Sequence, residues 1–197
     1  MSNRIEMFMS DYSIERLRKL KEKDISFIKL TSAGLPEEKN SCQYNMAFLV
    51  SLCHEDTQVL IASNPYKTVC DEEFPKLEVI DKNKYNGDFI EDLTTFRDAL
   101  GYPWEKQRIT SVKILHDHIE WVENSQSNWS IDAHIGIQVH FDTGYKFLII
   151  ARDSSVGLLD VYYGKDFSWI QNKKDILSTY FIDEKNVQSI RRNIIPL

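Results

Sequence analysis

The chain has 197 residues, 42% of them hydrophobic, which is enough for one domain with a substantial buried core. With 24 Lys and Arg against 30 Asp and Glu the net charge is -6, a field that repels nucleic acid and anionic membrane and attracts a basic partner. No run approaches the ~18 apolar residues that span a bilayer, and the opening MSNRIEMFMSDYS lacks the apolar stretch of a secretory leader, so a single cytoplasmic domain over 1–197 is expected.

In chain order, Ile14, Leu17 and Leu20 with intervening Arg and Lys predict an amphipathic helix from Ser13 to Lys23, with Ser13 as N-cap. A short strand, Ile25 to Leu30, follows, and Pro36 to Asn40 reads as loop. Ser41 to Cys53 admits two readings. Tyr44, Met46, Phe48, Val50 and Leu52 alternate as in a strand that turns at His54–Thr57 into a partner, Gln58 to Ser63. Met46, Leu49, Val50 and Cys53 also make a helical stripe with Ser41 as N-cap and Cys42 at the helix start. The strand is preferred. Asn64-Pro65 and Cys70 to Pro75 read as loop, and Leu77 to Ile80 as an edge strand.

Asp88 with Glu91 three residues on, an apolar stripe of Phe89, Leu93, Phe96 and Leu100, and a stop at Gly101 and Pro103 predict a helix. Ile109 to Val122 reads as a long strand, and the polar tract Glu123 to Asn128 turns it. Ile131 to Gly164 predicts a three-stranded antiparallel meander. Its first strand alternates Ile135, Ile137, Val139 and Phe141 with His134, Gly136, Gln138 and His140. Asp142-Thr143-Gly144 turns it into a central strand, Tyr145 to Arg152, apolar on both faces. A turn at Asp153 to Gly157 leads to the third strand, Leu158 to Tyr163. Trp169, Ile176, Leu177 and Tyr180 suggest a further helix, and Val187 to Leu197 carries no decisive pattern. The fold class is α+β, mostly antiparallel sheet with a few flanking helices.

Three residue sets bear on chemistry. His116, His118 and Glu120 share one face of the long strand, and their nitrogens and carboxylate suit zinc, iron or manganese, with His134 or His140 completing the shell. The His-x-His element resembles that of cupins, without the glycines that frame the cupin motif. The bland alternative, preferred, is the wet face of a half-exposed strand, and no cofactor is expected. Cys42, His134 and Asp153 occur in the chain order of papain-like cysteine enzymes, and Asn40-Ser41-Cys42 is similar to the cysteine box of deubiquitinases and effector deamidases. That resemblance implies a cysteine hydrolase or deamidase with Cys42 as nucleophile and Asn40 as oxyanion donor; the glutamine expected before the cysteine is missing. Cys42, Cys53 and Cys70 lack zinc-site spacing and are odd in number, so reduced thiols are the default.

The third set is the acidic run Asp71, Glu72 and Glu73, placed to meet a basic surface. Tyr162, Tyr163, Trp121 and Trp129 read as core and sheet-face residues. There is no phosphate loop, nucleophile elbow or dinucleotide fingerprint, and no basic stripe with interleaved aromatics. The meander, small helices and acidic balance together resemble bacterial immunity-type proteins. That resemblance implies a non-catalytic cytoplasmic protein that neutralises a basic toxin through complementary charge, with Asp71, Glu72 and Glu73 contacting the partner.

Overall fold

The computed structural model describes residues 2–35, 37–54, 57–67, 73–85, 89–95, 106–123, 127–154 and 156–197. Their strands join one curled, mostly antiparallel sheet: β1 Ser2–Met7, β2 Asp24–Ile25, β3 Phe27–Ser32, β4 Glu37–Lys39, β5 Cys42–His54, β6 Thr57–Lys67, β7 Glu73–Asp81, β8 Thr94–Thr95, β9 Gln107–Glu123, β10 Ser127–Phe141, β11 Lys146–Ala151, β12 Leu159–Gly164 and β13 Val187–Pro196. Among the described residues the α-helices are α1, Asp11–Arg18, and α2, Lys173–Tyr180. Among the described residues no helix is long and apolar enough to cross a membrane.

The predicted meander is β10–β11–β12, antiparallel throughout, with Gly144 at φ +80° and Gly157 at φ +71° in its two turns. As its unbroken apolar run implies, β11 lies between two strands and is buried from Phe147 to Ala151. The long strand β9 pairs with β10 on one side and with β13 on the other. Each of two long strands serves two neighbours along one edge. β10 pairs with β1, in parallel, from Asn128 to Ala133 and with β11 from Gly136 to His140. β5 pairs with β12 from Gln43 to Ala47 and with β6 from Leu49 to His54. At the β10 handover the register against β9 slips between His134 and Gly136, and a Cβ on Gly136 would lie 2.7 Å from the Ile149 carbonyl oxygen. Only glycine fits that approach without backbone movement.

The sheet curls until β7 approaches β1 and β10, and α1 packs across β7. Ser13 fixes this packing: its Oγ accepts from the Val79 N–H at 3.1 Å and donates to the Val79 carbonyl at 3.2 Å. The helix cap is therefore Ser10, whose Oγ accepts from the Ser13 N–H, and the helix ends at Arg18, short of the expected Lys23. Three loop expectations are also corrected. Glu37–Lys39 is a strand paired with β5, Asn64 and Pro65 lie within β6, and Phe74 and Pro75 belong to β7. The preferred strand over Ser41 to Cys53 is realised as β5, hairpinned to β6.

The expected helix from Asp88 to Leu100 is not formed over its described part. Residues 89–93 turn, and Thr94–Thr95 pair with Leu30 and Lys29 of β3. Phe89 stacks on Phe48 with centroids 4.6 Å apart, and Leu93 covers the small cluster of Leu49, Leu60 and Ala62. The apolar spacing was satisfied by covering a sheet face instead of by building a helix. Asp88, Phe96, Leu100, Gly101 and Pro103 lie outside the described residues, as does Cys70.

Candidate binding cleft

The β9–β10 register places Trp129 opposite Trp121. Cross-strand neighbours on one face stand close enough to stack, and the two indoles do so with centroids 5.8 Å apart and planes 17° from parallel. Phe74 from β7, Tyr180 at the end of α2, and Phe181, Ile182, Asp183 and Asn186 beyond it complete a cleft of about 300 Å³.

One lining side chain, Tyr180, is anchored by a buried charge network. Arg192 of β13 donates from Nε and Nη2 to the two carboxylate oxygens of Asp117 on β9, both at 2.6 Å, and from Nη1 to the Ile170 carbonyl at 3.1 Å. Tyr180 donates to Asp117 Oδ2 at 2.9 Å. The side chains of Asp117 and Arg192 are 0% and 1% exposed, so only this near-complete pairing makes either charge tolerable there. Burial, and then the Asp117 carboxylate, push the Tyr180 phenol well above its ordinary range. The network locks α2, β9 and β13 together and holds Tyr180 in place.

The walls are less settled. α2 begins at Asn172, whose Oδ1 accepts from the Lys174 N–H at 3.1 Å, and ends at Phe181 with φ +56° and ψ +26°. That left-handed position normally belongs to glycine, yet it carries a phenylalanine that is 69% exposed. The Trp129 indole Nε1 is buried without a protein hydrogen-bond partner. At the mouth, Asp183 accepts from the Lys185 ammonium at 2.9 Å and, through Oδ1, from the Lys185 backbone N–H at 3.1 Å. These two bonds, the ammonium's first, hold its carboxyl below the ordinary range.

Of the acidic run, Glu73 opens β7 immediately before Phe74, while Asp71 and Glu72 lie outside the described residues. Sequence reasoning read Trp121 and Trp129 as ordinary sheet-face residues. The signal that pairs them is their equal spacing about residue 125, inside the predicted turn.

The other face of the same hairpin carries His116, His118 and Glu120, gathered as expected. Asp132, directly paired with His118, joins them: His116 Nε2 contacts Asp132 Oδ1, and His118 Nδ1 stands 3.9 Å from Oδ2. Glu120 accepts from Ser189 Oγ at 2.9 Å and lies 3.6 Å from His118 Nε2. His134 accepts a hydrogen bond from the Met9 N–H at Nδ1, so its neutral ring carries the proton on Nε2 and offers no free lone pair to a metal. Burial, and then His116, lower its pKa. His140 is bonded instead to Gln138 at 2.9 Å. Among the described residues no three His, Cys, Asp or Glu side chains stand in metal-holding geometry.

Cys42, His134 and Asp153 are not brought together. Cys42 opens β5, three strands from β10, and sits against Gly164, whose row continues through Lys146 to His140. His134 is therefore about 14 Å away across the sheet and about 20 Å along it, from ordinary strand spacings. The Asp153 N–H bonds the Thr179 carbonyl at α2. Asn40 and Ser41, at φ +53° and +59°, form the tight turn between β4 and β5, so no helix dipole stands behind the thiol. Its Sγ donates to the Asp166 carbonyl at 3.3 Å, and burial raises its pKa, opposite to what an attacking thiolate requires.

Compared with known proteins, the chain matches no family model, no curated sequence and no solved structure.

Proposed function

We propose that the chain is a non-catalytic binding protein that engages a basic protein partner through the cleft of Phe74, Trp121, Trp129, Tyr180 and Phe181. Phe181 carries the reading. Selection for stability alone would place glycine at φ +56°, and selection for solubility would not leave a phenyl ring 69% exposed. A large aromatic held at both disadvantages beside two stacked indoles has the composition of a binding hot spot. The net charge of -6, Asp183 at the cleft and Glu184 next to it favour a cationic surface, and in the sequence the acidic run Asp71, Glu72 and Glu73 immediately precedes the cleft residue Phe74. An acidic cytoplasmic immunity protein covering a basic toxin is this reading in its most specific form.

The test is titration with poly-L-lysine and poly-L-arginine, followed by thermal shift at low and raised salt. Saturable binding that weakens with salt and is lost in Phe181→Gly supports the reading. Equal binding by Phe181→Gly, with that variant folded, overturns it. The triple variant Asp71→Lys, Glu72→Lys, Glu73→Lys is expected to weaken binding further at low salt than at high salt.

A further inference from the structure

We infer that the group this cleft takes is a planar guanidinium, an arginine side chain of the partner, stacked against the Trp121–Trp129 pair with its charge shared by Asp183. The inference rests on the binding reading above and names its chemistry.

Four observations carry it. The cleft walls are flat rings, which a delocalised, weakly hydrated guanidinium can stack on more favourably than a compact, strongly hydrated ammonium. The chain's own lysines lie over Phe27, Tyr44, Tyr66, Tyr12 and Tyr145, and among the described residues no cation occupies the cleft rings. Asp183 supplies the counter-charge. Its pairing with the Lys185 ammonium is solvent-exposed and so worth little and exchangeable, whereas the backbone bond to Oδ1 keeps the carboxylate oriented when Oδ2 changes partner.

The fourth observation is the size of the cleft. The cleft volume of about 300 Å³ is at the small end for ligand sites and suits one side chain with its adjoining peptide group.

The experiment is a fluorescence titration of the intact protein, with Trp121 and Trp129 as reporters, using N-acetyl-arginine amide, the citrulline counterpart of the same shape without charge, and N-acetyl-lysine amide. Saturable quenching by the arginine compound, about tenfold tighter than by either other, is expected. Asp183→Asn should weaken it several-fold and leave thermal stability unchanged. Equal binding of citrulline overturns the charge assignment, and equal binding of lysine overturns the planar one. If none of the three saturates while poly-L-lysine and poly-L-arginine still bind in a Phe181-dependent way, the binding reading stands and the guanidinium inference falls.

Discussion

The two ends of the β9–β10 hairpin are built from the same pairing and finished differently. At the end away from the turn, closed by packing, the polar groups have partners: Gln107 donates to Tyr163 Oη at 2.9 Å and accepts from Thr143 at 3.1 Å, and His140 bonds Gln138. Ile137, Val139 and Val112 are fully buried, and Gly136 sits where a Cβ has no room. At the turn end an indole N–H lacks a partner, a phenylalanine holds a glycine conformation, and aromatic residues line a cleft. One end has local choices that agree with the fold, and the other keeps local conflicts. Such conflicts mark the places where a sequence gives up stability for something else.

The largest expected effect is at the buried pair that anchors Tyr180. Arg192→Met strands the Asp117 carboxylate in the core and should destabilise by about 3–5 kcal/mol in urea unfolding, with Asp117→Leu on the same background recovering most of the loss. At the closed end, Gly136→Ala should destabilise by about 1–3 kcal/mol, because the Ile149 backbone must move to admit the methyl group.

The closed end should also be sensitive to acid. Burial, and then Lys113 and Lys146, depress His140 from 6.5 to about 4. Between those values the unfolded chain binds the proton and the folded one does not. The contribution is therefore fully present above pH 6.5 and is lost as pH falls toward 4. Allowing for the partial exposure of the ring, roughly 1–2 kcal/mol should disappear over that window, and His140→Gln should flatten the profile there.

At the cleft the sign reverses. Phe181→Gly should stabilise by about 0.4–1 kcal/mol in the same unfolding assay while abolishing polycation binding; a destabilised variant would erase the contrast between the two ends. Ser41→Gly is the control. Its φ of +59° lies in a turn remote from the cleft, so a gain of roughly 0.5 kcal/mol with binding unchanged would separate turn strain from strain tied to the site.

The meander and β5 were legible because their alternation is local and their turns use Asp, Ser and Gly where turns need them. The 89–95 stretch was misleading, since Phe89 and Leu93 stand at helical spacing while the partners that decide the local conformation, Phe48 for Phe89 and Leu30 for Thr94, lie far upstream. β13 was opaque for a similar reason: Ile190 and Ile194 are spaced as on a helix, and only their pairing with Ile119 and Leu115 makes them strand. His116, His118 and Glu120 were legible as a shared face, but Asp132 needed the register. The cleft depended on more: the register for Trp121 and Trp129, and the end of α2 for Phe181.

The parallel seating of β1 beside β10 also constrains the order of assembly. Ser2 finds its partner at Asn128 and Met7 at Ala133, so β1 has no place to dock until the long hairpin, far downstream of it, has formed. β13, pairing with the other strand of that hairpin, arrives later still. Closure of both flanks therefore waits on pairings between residues far apart in the chain, a topology that folds slowly.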